Sequence, residues 1–291
     1  MKYSAVRIDD IFWALQFGRP KKRATFNQIR QQGLVKMKPV FFLSTGRCGT
    51  NWFAEYLSGD KNFKVFHEPI PNLGVQGKIV YNILKGKGKK LEDVSDILIK
   101  EIFLAAREQH LRYAYKSERQ YIETNNHISF FAPILAEIFP EALFVHLYRH
   151  PGEFVRSAMR RGFYSDNNTD DIKRIKPVEE SQYHQKWAEL SQIGKNAWLW
   201  NETNLFIEDF KKDLKPERVH SFNFNNLSVD SLQALNEFIG INIKNLKRLI
   251  KKRKNVQKAG SFNSYHNWSD QAKTELRSIC GDLALKYGYE L

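Results

Sequence analysis

Residues 40–52 read VFFLSTGRCGTNW, and this stretch constrains the fold more than any other. The apolar run VFFL suits a short strand that is buried on both faces, as in a parallel sheet covered by helices. Gly46 and Gly49 follow it and permit tight turns that let backbone amides approach a ligand. The helix that begins near Asn51 presents free N–H groups and the positive end of its dipole. The stretch therefore predicts an anion-binding loop between a strand and a helix.

From Pro39 onward, short apolar runs alternate with stretches of helical periodicity. This alternation favours an α/β fold with a parallel central sheet. We expect one domain over residues 39–291, with helical insertions near 73–110 and 165–205. The further candidate strands are FKVFHEP, RYAYKS, QYIETN, ALFVHLYR and RVHSFNFNNL. One apolar helix face is expected to consist of Val94, Ile97, Leu98, Ile102, Ala105 and Ala106.

Residues 1–38 form a predicted N-terminal arm. Its segment IDDIFWALQFGRPKKR reads as a short amphipathic helix followed by a basic cluster. Such a helix packs on the core of its own domain or lies peripherally on an anionic membrane, and both interpretations stay open. Cys48 and Cys280 are the only cysteines and provide no disulfide framework, so we expect a reducing, cytoplasmic compartment.

The formal net charge of +14 suits an anionic ligand, nucleic acid or an acidic membrane surface. The basic residues are spread from Lys21 to Lys286 and are not gathered around an aromatic stacking motif. We therefore expect no nucleic-acid partner, and keep a basic nucleic-acid or membrane-surface binding module as an alternative. The eight histidines and two cysteines lack the spacing of metal ligands, so no metal site is predicted.

The glycine-containing loop departs from the pattern that binds ATP or GTP, which is G-x-x-x-x-G-K-[ST]. Only two residues separate Gly46 from Gly49, and Thr50 stands in place of the lysine. Arg47 instead supplies a permanent charge with a forked set of donors. The later strand ALFVHLYR ends in Arg149 and not in an acid that could hold Mg²⁺. We expect an anion cradle without metal, and a nucleotide kinase or other phosphate-loop transferase remains the alternative enzyme.

A second polar pair follows that later strand. Arg149 stands at the strand end, and Ser157 lies eight residues further on, in the helix that PGEFVRSAMRRG predicts. Both could bind one phosphate group at the carboxyl edge of the sheet, where open α/β sheets bind their ligands. Each of these residues is ordinary by itself, and their combination with the first loop is the specific signal.

Together the two stretches resemble the sulfotransferase family that uses 3′-phosphoadenosine 5′-phosphosulfate (PAPS). STGRCGTNW resembles the family's loop for the 5′-phosphosulfate, and LYRHPGEFVRSAMRRG resembles its motif for the 3′-phosphate. The resemblance runs from Pro39 onward. It implies a P-loop-like three-layer fold with about five parallel strands, and metal-independent transfer of a sulfuryl group to an acceptor hydroxyl. We expect that hydroxyl to belong to a glycan or glycolipid.

The resemblance also implies roles for individual residues. Arg47 would act as an electrostatic clamp, and Cys48 would contribute its backbone N–H. Trp52 would stack on adenine or belong to the core. The polar segment NVQKAGSFNSYHNWS would close over the nucleotide, with Lys258 as its phosphate contact. The implied donor-binding residues are Arg47, Cys48, Gly49, Thr50, Asn51, Trp52, Arg149, Ser157 and Lys258.

Two residues compete for the role of general base, which an acceptor hydroxyl requires. Glu68 follows the second strand, at a place similar to that of the catalytic glutamate in carbohydrate-type members, and we favour it. His127 lies near the place of the catalytic histidine in cytosolic members, but it lacks the Lys-Thr pair that precedes that histidine. Glu68 also has a structural alternative, in which it caps a helix near Leu73 or pairs with a lysine.

Overall fold

The computed structural model describes residues 15, 25–86, 94–166, 168–251 and 262–291. Within them, one sheet of five parallel strands has the order β2-β3-β1-β4-β5. Helices cover both faces of the sheet, so the predicted α/β, three-layer, P-loop-like fold is confirmed. The strands are β1 Val40–Leu43, β2 Phe63–His67, β3 Gln120–Thr124, β4 Leu143–Tyr148 and β5 Val219–Asn223.

Helices connect the strands and return the chain to the same end of the sheet each time, as parallel pairing requires. Before β1, the chain is α-helical over Phe26–Gln28, π-helical over Ile29–Gly33 and 3₁₀-helical over Leu34–Lys36. The longer helices are α1 Thr50–Leu57, α2 Gly74–Lys85, α3 Val94–Lys116, α4 Ala132–Ile138, α5 Pro151–Met159, α6 Gln192–Lys212, α7 Val229–Ile239, α8 Leu246–Lys251 and α9 Asp270–Lys286. Short 3₁₀ turns cover Asn126–Phe131, Thr169–Lys173, Pro216–Arg218, Phe224–Asn226 and Tyr265–Asn267.

The central strand β1 separates two hydrophobic cores. Phe41 points to one face, where its ring centroid lies 6.1 Å from that of Phe103 on α3 and 5.7 Å from that of Phe139. Phe42 points to the other face and packs 5.5 Å from Phe53 on α1. Because β1 is buried on both faces and paired on both edges, the loop that follows it has a rigid base.

Two predictions for α3 are wrong. RYAYKS is not a strand but the last turn of this helix, in which Leu111 and Ala114 are buried at helical spacing. The expected apolar face is also misplaced, because Ile97 and Leu98 are 59% and 55% exposed. The buried line instead has a spacing of four residues and runs through a charge: it consists of Ile99, Phe103, Arg107 and Leu111.

Most of the predicted arm, residues 1–14 and 16–24, lies outside the described residues, and so does the choice between packing on its own core and peripheral membrane contact. In the described part of the chain, no helix combines the length and the apolar character that crossing a bilayer requires.

Candidate active site

Parallel pairing brings the carboxyl ends of all five strands to one edge of the sheet. The loop of residues 44–49 follows β1, and Glu68 follows β2 directly. His127 comes three residues after β3, and Arg149 comes directly after β4. The predicted anion-binding and catalytic residues on these four connections therefore face the same edge, where open α/β sheets bind ligands.

Hydrogen bonds from the turn after β3 hold the loop after β1. The backbone N–H of Ser44 donates to Ser129 Oγ at 2.9 Å, and that hydroxyl donates back to the Ser44 carbonyl at 2.9 Å. The Gly46 N–H donates to Ser44 Oγ at 3.0 Å. Arg47 itself adopts φ 55°, a left-handed conformation that is uncommon for residues other than glycine. The loop is therefore held by Ser129 and by its own internal hydrogen bond, and its arginine has an unusual backbone conformation.

Neighbouring side chains leave no room for a Cβ at either glycine of the loop. Gly46 has φ 76°, and a Cβ there would lie 3.0 Å from Cγ of Asn126. Gly49 has φ 89°, and a Cβ there would lie 2.3 Å from the ring of Phe224. Helix α1 begins right after Gly49 without a hydrogen bond from a side-chain cap. Its first N–H groups are therefore available to an anion.

The other loop positions divide into buried and exposed ones. Cys48 is fully buried, its Sγ donates to the Gly46 carbonyl at 3.1 Å, and burial raises the pKa of the thiol to about 11. Thr50 is buried, whereas Asn51 is exposed. Trp52 is half-buried and stacks on Tyr56 at 5.2 Å with an interplanar angle of 8°. Because the Cys48 thiol is neutral and enclosed, it is suited to packing and not to nucleophilic chemistry.

A direct contact joins the two polar stretches. The Nε of Arg47 donates to Ser157 Oγ at 3.1 Å, across 110 positions of sequence. Arg149 Nη1 donates to the carbonyl of Arg47 at 3.2 Å, and its Nη2 pairs with Glu153 at 3.1 Å. The Nε1 of Trp200 on α6 donates to the Arg149 carbonyl at 2.9 Å and fixes the end of β4. The loop after β1 and helix α5 thus form one site.

The site is cationic. Burial lowers the pKa of Arg47, and the nearby charges of Arg161 and Arg149 act in the same direction, whereas Glu68 opposes them. The Nε of Arg149 is buried and has no hydrogen-bond partner within the described residues. A group of guanidinium ions with an unused buried donor is suited to binding an anion.

The structure brings the two candidate bases together. Burial lowers the pKa of His127, the carboxylate of Glu68 raises it, and the charge of Lys173 lowers it. Glu68 is half-buried, has φ 42°, and acts electrostatically on both His127 and Arg47. The amide nitrogen of Gly74 donates its hydrogen bond to Asn72 Oδ1 at 3.1 Å, so Glu68 does not cap the helix near Leu73. Both candidates therefore remain beside the arginine cluster.

Two other histidines near the site have structural partners. The Nδ1 of His67 donates to the Thr124 carbonyl at 2.9 Å and ties β2 to β3. His150 accepts a hydrogen bond from the Gly152 N–H at 3.1 Å and caps α5. No group of three or more His, Cys, Asp or Glu side chains that could hold a metal ion occurs among the residues described.

The segment predicted to close over the nucleotide is described only from residue 262 onward, so Lys258 lies outside the described residues. Arg156 Nε donates to the Phe262 carbonyl at 3.1 Å. Tyr265 packs so closely on α5 that a Cβ at Gly152 would lie 2.4 Å from its ring. The described part of the segment therefore rests on the helix that carries Ser157.

A family model described as the sulfotransferase family matches residues 39–244, about 70% of the chain. This chain belongs to the sulfotransferase family. Comparison with curated proteins gives no match.

Solved structures of other sulfotransferases share the fold of this sulfotransferase at low sequence identity. The sulfotransferase domain of the Synechococcus PCC 7002 olefin synthase is 15% identical, with a TM-score of 0.50, and the match covers 88% of this chain and 97% of that domain. The sulfotransferase domain from the curacin biosynthetic pathway is 15% identical, with a TM-score of 0.51 and coverages of 88% and 99%. Sulfotransferase STF9 from Mycobacterium avium is 12% identical, with a TM-score of 0.50 and coverages of 91% and 81%.

A buried polar network of this sulfotransferase was not predicted from the sequence. Arg107 on α3 binds both carboxylate oxygens of Glu123, at 2.9 and 2.7 Å, and both side chains are fully buried. Its Nη1 also donates to the Pro71 carbonyl at 2.6 Å, and Asn125 donates to the Asn72 carbonyl at 3.1 Å. The network therefore anchors the loop after Glu68 to β3. The sequence held only two signals of this network. They were Arg107, a charge within the apolar stripe of a helix, and Glu123, an acid within a strand.

Proposed function

We propose that this sulfotransferase moves a sulfuryl group from PAPS to an acceptor hydroxyl of a glycan or glycolipid. The 3.1 Å contact between Arg47 and Ser157 carries this proposal. It unites the stretch that resembles the phosphosulfate loop with the stretch that resembles the 3′-phosphate motif. The similarity of Glu68 to the catalytic glutamate of carbohydrate-type members supports the acceptor class.

The residues at the strand edge fit such a donor. Asn126 and Phe224 exclude a Cβ at Gly46 and Gly49, and the helix that begins after Gly49 has no side-chain cap, so its first N–H groups are available to the donor. In this proposal, Arg47 and the amides of residues 49–51 bind the 5′ end of the donor, and Arg149 and Ser157 bind its 3′-phosphate. The buried Nε of Arg149, which has no hydrogen-bond partner in the described part of the chain, is the donor that such a phosphate would engage. Trp52 as an adenine contact and Lys258 as a phosphate contact stay predictions.

When bound, PAPS supplies an activated sulfuryl group whose transfer leaves adenosine 3′,5′-bisphosphate. The chain has to position the acceptor, take up its proton and stabilise negative charge. Glu68 accepts the hydroxyl proton at its carboxylate. Arg47 cannot be deprotonated at physiological pH, so it stabilises the charge that develops beside it and takes no proton.

The choice of base is tested with sulfur-labelled PAPS and a cell extract as the source of acceptors. We expect Glu68→Gln to keep its affinity for adenosine 3′,5′-bisphosphate and to lose transfer by about 10²- to 10⁴-fold, as expected for a general base. His127→Ala is the matched variant from the same site and should lose less. If Glu68→Gln retained transfer and His127→Ala abolished it, the base assignment would be reversed.

Two further statements about the surroundings of this enzyme stay predictions. One is a cytoplasmic location, and the other is peripheral contact between the N-terminal arm and an anionic membrane. Sedimentation of the full chain with anionic vesicles, compared with a chain that begins at residue 25, would test the second.

A further inference from the structure

We infer that the acceptor carries a negative charge, a carboxylate or a sulfate ester, and that Arg161 binds this charge while the acceptor hydroxyl approaches Glu68. The inference rests on the proposed function and narrows its acceptor class to an anionic glycan or glycolipid. Arg161 follows the last turn of α5 and is exposed. No part of the donor has been assigned to it.

The first argument is the position of Arg161 next to the donor-binding arginine. Ser157, which accepts the hydrogen bond of Arg47, precedes Arg161 by four residues. The N–H of Arg161 donates to the Ala158 carbonyl at 2.9 Å, so the helical winding of α5 continues to this residue. Residues four apart on a helix are neighbours on one face. After burial, the charge of Arg161 has the largest effect on the pKa of Arg47, so the two guanidinium groups are close together.

The second argument is that the backbone of Arg161 is tied to the turn beside His127. Asn168 Nδ2 donates to the Arg161 carbonyl at 3.1 Å, and Asn168 Oδ1 accepts from the N–H of Asp170 at 3.0 Å. Asp170 and Lys173 share one 3₁₀ turn, and both act electrostatically on His127. Arg161 therefore lies where the donor-binding loop and the surroundings of the candidate bases meet, and a bound acceptor has to reach both.

The third argument is that the charge of Arg161 is not used within the protein. Three other cations around the site have acidic partners, in the pairs Arg149–Glu153 at 3.1 Å, Lys173–Asp170 at 2.9 Å and Arg174–Asp171 at 2.8 Å. In the described part of the chain, neither a hydrogen bond nor an ion pair engages the Arg161 guanidinium. Because Arg47 and Arg149 already bind the two ends of the donor in the proposed function, the fork of Arg161 remains for an anion of the acceptor.

The test titrates three sugars into protein saturated with adenosine 3′,5′-bisphosphate. They are methyl β-D-glucopyranoside, which is neutral, and its two anionic counterparts, the glucuronide and the 6-sulfate. Calorimetry should show that at least one anionic sugar binds about tenfold more tightly than the neutral one, as expected for a charged hydrogen bond. Arg161→Gln should abolish this preference and leave the affinities for the neutral sugar and the bisphosphate unchanged. Arg161→Lys should retain part of it, because lysine keeps the charge but not the fork.

Arg160→Gln is the matched control. Arg160 is also an exposed arginine, and the substitution removes the same charge from the next position of the chain. Successive residues of a helix point about 100° apart, so Arg160 does not share the face of Ser157. The preference for the anionic sugar should therefore survive in this variant. Which of the two anionic sugars binds more tightly identifies the charged group.

Equal binding of the neutral and anionic sugars, or no binding of any of them, would overturn the inference if the bisphosphate binds normally. A preference that persists in Arg161→Gln, or that Arg160→Gln also removes, would overturn it as well. If Arg161→Gln weakened bisphosphate binding as much as Arg47→Ala, Arg161 would belong to the donor site and the inference would be wrong. Absence of bisphosphate binding in the wild-type protein would instead refute the proposed function, and this inference with it.

Discussion

Replacing Gly49 by alanine should damage the anion-binding loop in two ways that the structure separates. At φ 89° a non-glycine residue costs about 1–2 kcal/mol. The added methyl would also lie 2.3 Å from the ring of Phe224, and overpacking of this kind costs about 1–3 kcal/mol. We therefore expect the free energy of unfolding to fall by about 2–5 kcal/mol. Binding of adenosine 3′,5′-bisphosphate should also weaken, because the amides after residue 49 would move.

Two further variants separate these effects. Gly240 has φ 76°, and a Cβ added there would have no atom within 4 Å, so Gly240→Ala should show only the backbone cost of about 1–2 kcal/mol. Adding Phe224→Ala to Gly49→Ala removes the clash, and a double-mutant cycle should give a coupling energy of about 0.5–3 kcal/mol. Urea denaturation followed by circular dichroism measures four variants: Gly49→Ala, Phe224→Ala, their double variant and Gly240→Ala. Equal losses at Gly49 and Gly240, without coupling to Phe224, would refute the reasoning.

Two predictions concern the interior around α3. Arg107→Met leaves the carboxylate of Glu123 buried without its partner, so the free energy of unfolding should fall by about 3–5 kcal/mol in urea titrations, and a loss below about 1 kcal/mol would contradict the pairing. Burial lowers the pKa of His110 to about 4, so between pH 6.5 and 4 the unfolded chain binds a proton there that the folded chain does not. Stability should therefore fall by roughly 3 kcal/mol as the pH falls through this window. His110→Gln should flatten the pH curve while His266→Gln, at an exposed position, serves as the control; a curve unchanged in His110→Gln would count against this account.

Local signals were sufficient for most of the fold. The run that became β1 is apolar without interruption, the run that became β4 is apolar apart from His146, and glycine or proline lies close to the ends of both. Their alternation with helices restricts the sheet to parallel pairing, and parallel pairing puts the polar residues after each strand at one edge. The meeting of Arg47 with Ser157 follows from this topology once both stretches are placed at strand ends.

The errors arose where a contact depends on residues far apart in sequence. Arg107 is buried only because Glu123, sixteen positions later, neutralises it, and a count of apolar residues therefore chose the wrong face of α3. For the same reason, the sequence did not predict that the two candidate bases interact with each other. Glu68 and His127 lie on different strand connections, and their electrostatic interaction depends on how α2 and the Thr169–Lys173 turn pack around them.

Calorimetric titration of the full chain with adenosine 3′,5′-bisphosphate, in EDTA and in Mg²⁺, tests the central claim most directly. The account predicts equal binding in both buffers and a loss of about tenfold or more in Arg47→Ala and in Arg149→Ala, since each removes charged hydrogen bonds. Arg30→Ala is the control, because Arg30 pairs with Glu101 outside the site. Wild-type affinity in both site variants, or binding that requires Mg²⁺, would contradict the account.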